Sequence, residues 1–143
     1  MTNEQLKKEL EEKEASCILF QDDKILMTSY EKGVLPIWRF IRENQVLPEG
    51  KLEVADKMVG RGVAYLLIHL GVSHVYTKII SQTALDVLKN YPITVAYDEL
   101  VPYILNRTQD GQCPMEQALA EVKDEREGIQ IVDTFVKRRL GLE

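Results

Sequence analysis

The chain has 143 residues, one domain's worth and enough for a single packed core. Its 18 basic and 23 acidic side chains leave a net charge of -5, and no long basic run offsets it, which argues against general nucleic-acid binding. No uncharged apolar run approaches the roughly 18 residues of a membrane helix. Two cysteines, Cys17 and Cys113, make no disulfide framework, so a cytoplasmic location is expected.

The first element is a helix within residues 1–14, with a thin apolar stripe of Leu6 and Leu10 in a charged segment that lacks a signal-peptide core. "SCILFQ" (16–21) and "KILMTS" (24–29) are short apolar runs divided by Asp22 and Asp23, the pattern of a β-hairpin. "IWRFIREN" (37–44) predicts a short helix, and Pro48, Glu49 and Gly50 a turn. "ADKMVGRGVAYLLIHLG" (55–71) predicts one buried central helix, apolar almost all round from Met58 to Leu70 and stopped by Gly71. On that reading Gly60, Gly62 and Ala64 lie inside the helix, where their small size serves close packing against a sheet.

"VSHVYTKII" (72–80) is a β-branched strand, Ser81 caps the helical "QTALDVLKNY", and "ITVAY" (93–97) is the next strand. Strand, helix and strand imply a right-handed parallel crossover. The polar loop "NRTQDGQC" leads to a helix from Pro114 to about Val122. A closing amphipathic helix within 124–140 turns Ile129, Ile131, Val132, Phe135, Val136 and Leu140 inward. The whole is a single layered α/β domain over residues 1–143.

Three blocks, "ADKMVGRGVAYLL", "VYTKIISQTALDVL" and "LVPYILNRTQDGQCPMEQ", resemble an uncharacterised prokaryotic family, a domain of unknown function placed within the cytidine deaminase-like superfamily. The similarity covers most of the chain. Its most specific parts are Asp56-Lys57-x-x-Gly60 and the block from Asn106-Arg107 to Cys113-Pro114-Met115-Glu116. The resemblance implies a cytidine deaminase-like three-layer α/β/α sandwich, with a mixed sheet that opens on a β-hairpin.

The chain departs from zinc deaminases where their chemistry resides. Those enzymes carry H-x-E or C-x-E at the start of the first core helix and P-C-x-x-C at the start of the next. Here the corresponding places read Ala55-Asp56-Lys57 and Ile80-Ser81-Gln82-Thr83-Ala84, with no ligand set for a metal that needs three protein donors. His69 and His74 do not share a helix face and read as packing or surface residues. No cofactor is expected, and zinc-dependent deamination is not.

Three groups of residues remain as candidates. Cys113 sits at an N-cap with Pro114 at N1 and Glu116 at N3, where the carboxylate reaches back to the cap N–H. A helix N-terminus lowers a thiol pKa, but Glu116 opposes that and Arg107 offsets it; the alternative is a plain helix start. Asp56 and Lys57 either begin the central helix or, with Arg61 and with Ser81, Gln82 and Thr83 opposite, line an anion pocket between two helix N-termini with free N–H groups. Asn106 and Arg107 lie in a turn-rich loop suited to bidentate recognition of phosphate or carboxylate. Gly60-Arg61-Gly62 lacks the third glycine of a dinucleotide loop, and Trp38 and Tyr103 read as core or rim aromatics.

The leading expectation is a small phosphorylated or nucleotide-like ligand in a degenerate cleft lined by Asp56, Lys57, Arg61, Ser81, Asn106 and Arg107. The alternatives are a metal-free enzyme using Cys113 or Asp56, and a structural or interaction module, including a homo-oligomer.

Overall fold

The computed structural model describes residues 1–104, 114–122 and 124–142. Helix α1 (Asn3–Glu12) opens on a reciprocal cap, in which Thr2 Oγ1 accepts from Gln5 N and the Gln5 amide oxygen accepts from Thr2 N. Strands β1 (Cys17–Gln21) and β2 (Lys24–Ser29) form the expected hairpin. Asp22 and Asp23 supply its two positive φ values, 48° and 69°, which Asp tolerates better than most side chains. Helix α2 (Leu35–Glu43) follows, with Pro36 in its first turn.

The largest correction falls on residues 52–71. The expected single helix is two elements, strand β3 (Leu52–Val59) and helix α3 (Arg61–Leu70), joined at Gly60. Strand β3 lies at the middle of the sheet and buries side chains on both faces, Leu52 and Val54 on one and Ala55 on the other. A strand buried on both faces reads as a continuous apolar run, which periodicity alone does not separate from a buried helix. Asp56 is therefore a mid-strand residue and caps no helix. Gly60 is the N-cap of α3, and Gly62 lies in its first turn, not in its interior. A Cβ at Gly62 would lie 2.7 Å from Met115 Sδ and 2.8 Å from Val34 Cγ1, so the close packing is against other helices rather than the sheet.

Strand β4 (His74–Ser81), helix α4 (Gln82–Leu88) and strand β5 (Thr94–Val101) complete the expected strand–helix–strand unit. A short helix α5 (Pro114–Ala118) and helix α6 (Glu125–Leu140) close the chain. The open mixed sheet has the order β2-β1-β3-β4-β5, antiparallel from β2 to β3 and parallel from β3 to β5. Helix α1 covers Ile18, Phe20, Ala55 and Tyr76 on one face. The remaining helices build the larger core on the other, around Leu19, Val54, Val75, Ile80 and the α3 side chains. Val132 and Val136 of α6 are fully buried there, while Ile129, Ile131 and Leu140 are partly buried.

One level of the sheet is irregular in three strands at once. Between β3 and β4 the ladder pairs Asp56 with Thr77 and resumes at Met58 and Ile79, passing over Lys57 and Lys78. Between β4 and β5 it pairs Thr77 with Tyr97 and resumes at Ile79 and Glu99, passing over Lys78 and Asp98. The face alternation changes at the same level: Leu52 and Val54 face the large core, then Val59 does; Val75 does, then Ile80. The register is the same on either side, so no residue is inserted; the rung is missing and the alternation of β3 and β4 shifts by one just before the ends that carry Gly60 and Ser81.

Candidate functional site

Gly60 has no side chain with which to cap α3, and the cap comes from far along the chain. Glu116, only 4% exposed, accepts the Arg61 backbone N–H at Oε1 across 2.6 Å. The Arg61 guanidinium closes over the same residue, donating from Nη1 to the Glu116 carbonyl at 3.0 Å and placing Nε 3.8 Å from Oε2. Thr83 Oγ1 donates to Oε2 at 3.4 Å and shares a 2.9 Å hydrogen bond with Ser81 Oγ. Ser81 Oγ in turn accepts from Ala84 N at 3.0 Å, the cap of α4. A Cβ on Gly60 would overlap Glu116 Oε1 and lie 2.9 Å from Ile104 Cγ1, so this position admits the carboxylate because it is glycine.

Burial pushes the Glu116 carboxyl above its usual value, against the opposing pull of the Arg61 N–H, the guanidinium and Thr83. Beside this network opens a cleft of about 210 Å³. Arg61, Tyr65, Thr83, Asn90, Tyr91 and Asp124 are among its lining residues. It lies between α3, α4 and the segment from α5 to α6, and its Arg61 and Thr83 each stand two residues past the carboxyl ends of β3 and β4.

The structure therefore brings Arg61, Ser81 and Glu116 together with Thr83. It corrects the premise that both helix N-termini have free N–H groups, because Glu116 occupies one and Ser81 the other. Glu116 caps α3. Asp56 and Lys57 stand apart from this cluster. Asp56 is 4% exposed in the sheet, and Ser81 lies four positions beyond its paired residue Thr77. Burial raises its pKa to about 7, against hydrogen bonding from Met58 N–H, the Cys17 thiol and Lys57 N–H. Lys57 lies on the opposite face, by a cleft shared with Glu11, Glu14, Tyr76 and Lys78. Asn106, Arg107 and Cys113 lie outside the described residues.

His69 is exposed on α3, and His74 is held between Glu53 Oε2 at 2.8 Å and Asn3 Oδ1 at 2.5 Å. Trp38 donates to Asp133 at 3.0 Å and carries Arg42 over its ring at 5.1 Å. Tyr103 is partly exposed. Sequence reasoning missed Tyr65, Asn90, Tyr91 and Asp124 as cleft residues. Tyr65 follows Arg61 by one helical turn, a spacing that marks a shared helix face once the start of α3 is known. Sequence reasoning also missed Glu53, which is 2% exposed. It accepts the Met1 ammonium at 3.1 Å as well as His74.

Fold and site together define an open mixed α/β-sheet protein with a carboxylate–guanidinium lock at the mouth of a small cleft. The family profile described as "TM1506: Domain of unknown function (DUF1893)" matches residues 5–136, and the chain belongs to that family. The crystal structure of a DUF1893 family protein (TM1506) from Thermotoga maritima is similar, with a TM-score of 0.82 and 30% sequence identity. The match covers 92% of this chain and 87% of that one. No curated protein matches. Among the described residues no helix is long and apolar enough to cross a membrane.

Proposed function

We propose that the chain binds a small nucleoside- or nucleotide-like molecule in the cleft beside Arg61, on a cytidine deaminase-like fold without zinc motifs. The fold reading rests on the opening hairpin, the parallel strand–helix units after it and helices on both faces of the sheet. With the helix starts now placed, the two motif positions read Gly60-Arg61-Gly62 at α3 and Ser81-Gln82-Thr83-Ala84 at α4. Neither holds H-x-E, C-x-E or P-C-x-x-C. Arg61, Glu116 and Thr83 converge where those motifs would meet.

The observation that carries the binding reading is this convergence at the mouth of a formed cleft. At about 210 Å³ the cleft suits a base-sized fragment better than a whole dinucleotide. Sites for drug-sized ligands run to roughly 300–1,000 Å³. Tyr65 and Tyr91 offer aromatic surface, while Asn90 and Thr83 offer hydrogen bonds. Both helix ends are capped internally and Asp86 and Asp124 stand at the rim, so the geometry favours the base and sugar over the phosphate.

A thermal-shift screen against nucleosides, nucleotides, ADP-ribose and sugar phosphates tests the reading. A ligand at about 100 times its dissociation constant adds about 2.7 kcal/mol and raises the midpoint by several degrees. Asn90→Ala, at an exposed position, is expected to weaken that shift. Silence across the panel overturns the proposal.

A further inference from the structure

We propose that Asp56 is a positioning residue whose protonation state sets the backbone at the passed-over level of β3 and β4 and, through it, the placement of Gly60 and Arg61. Its bearing on ligand binding rests on the cleft reading above; its effect on the backbone does not.

Asp56 and Thr77 face each other across the last regular rung before the passed-over level. Each clamps its own strand two residues ahead. Asp56 Oδ1 accepts Met58 N at 3.2 Å, and Thr77 Oγ1 donates to the Ile79 carbonyl at 2.9 Å. Only Val59 and Gly60 separate the Met58 clamp from Arg61, whose N–H is the donor to Glu116. The Asp56 side chain therefore acts on the backbone at the point from which β3 is aimed at the cleft.

The second Asp56 oxygen makes this clamp sensitive to charge. Oδ2 is buried and, among the described residues, has no hydrogen-bond partner in the resting geometry. The Cys17 thiol of β1 lies beside the carboxyl on the same face, and its own pKa is pushed well above the usual value, first by burial and then by Asp56. The charged side chains of this level are Lys57 from β3, Lys78 from β4 and Asp98 from β5, which pairs with Lys7 of α1. These groups belong to the α1 face, away from Asp56. A neutral carboxyl tolerates the site; an ionised one leaves a buried charge with an unpaired oxygen. Ionisation favours a tighter bond from the Cys17 thiol and a backbone shift at the passed-over level that brings Oδ2 a donor. Burial holds the Asp56 pKa at about 7, so both forms are populated near neutral pH.

The test is a pH titration of the full chain by ¹⁵N–¹H correlation spectroscopy, with the Asp56 carboxyl followed by ¹³C and no ligand present. The Met58 and Arg61 amides are expected to shift together at the midpoint of the Asp56 carboxyl. Asp56→Asn is expected to remove that midpoint from both amides, whereas Glu116→Gln leaves it in place. The proposal is overturned if the Asp56 carboxyl titrates while the Arg61 amide stays still. It is overturned equally if the Arg61 midpoint survives Asp56→Asn and vanishes with Glu116→Gln. If Asp56→Asn does not fold, the wild-type comparison of the carboxyl and amide midpoints decides alone. Silence in the ligand screen leaves these titrations untouched, so the two readings fail separately.

Discussion

Glu116 caps the helix that begins at Arg61, although 55 positions separate them along the chain. The carboxylate thereby ties α5 to the β3–α3 junction and holds both a backbone donor and a guanidinium in a buried place. Removing it with Glu116→Ala strands those donors, and the cost expected is about 2–3 kcal/mol. Glu116→Gln keeps an acceptor and is expected to cost about half as much. Urea titrations check this: the midpoint falls while the slope stays unchanged. A loss under about 0.5 kcal/mol for the alanine variant would show that the cap is not a structural tie.

Gly60→Ala tests the same contact from the other side. The new methyl group would overlap Glu116 Oε1 and crowd Ile104 Cγ1, expelling the carboxylate or shifting the helix start. Overpacking of this kind costs about 1–3 kcal/mol. The effect is expected to be non-additive, with Gly60→Ala costing much less in a Glu116→Ala background. Additive losses in the double-mutant cycle would separate the glycine from the cap.

These contacts also explain what the sequence made readable. The hairpin, the Ser81 cap and the βαβ unit rest on local signals, namely Asp22-Asp23 at the turn, a hydroxyl before a helix and β-branched runs. The division of residues 52–71 was hidden because β3 is buried on both faces, so its apolar content merges with that of α3. Glu116 was read as a cap for its own helix because local spacing allows that bond. Its bond to Arg61 is set by tertiary packing, which spacing does not encode. Of the residues expected at the site, Arg61, Ser81 and Glu116 meet, whereas the misassigned helix drew in Asp56 and Lys57.

Asp56 also makes a specific prediction for stability. The folded protein keeps its proton up to about pH 7, whereas the unfolded chain releases it near the ordinary aspartate value of 3.8. Between those values the folded state binds more protons, so its stability falls as pH rises. The contribution is fully present below the lower value and gone above the upper one. Its size is roughly 4 kcal/mol for a shift of this length. Asp56→Asn is therefore expected to flatten the fall and to be more stable than wild type at about pH 8. A wild-type profile that rises across this window would contradict the buried neutral carboxyl.

Glu53 predicts the opposite limb. Burial alone would raise its pKa, but His74, the Met1 ammonium and Lys51 together hold it below the usual glutamate value. Its contribution is present above the unfolded value of 4.5 and is lost as pH falls through the lowered folded value. The contacts fasten α1 to the sheet, because His74 also bonds Asn3 and Glu53 holds Met1. Glu53→Gln is expected to lower stability at neutral pH by about 1–3 kcal/mol and to weaken the acid-induced loss. Hydrogen exchange locates the effect, since faster exchange of the α1 amides than of the α3 amides is the expected pattern. Equal acceleration in both helices would mean that Glu53 supports the whole sheet and not the attachment of α1.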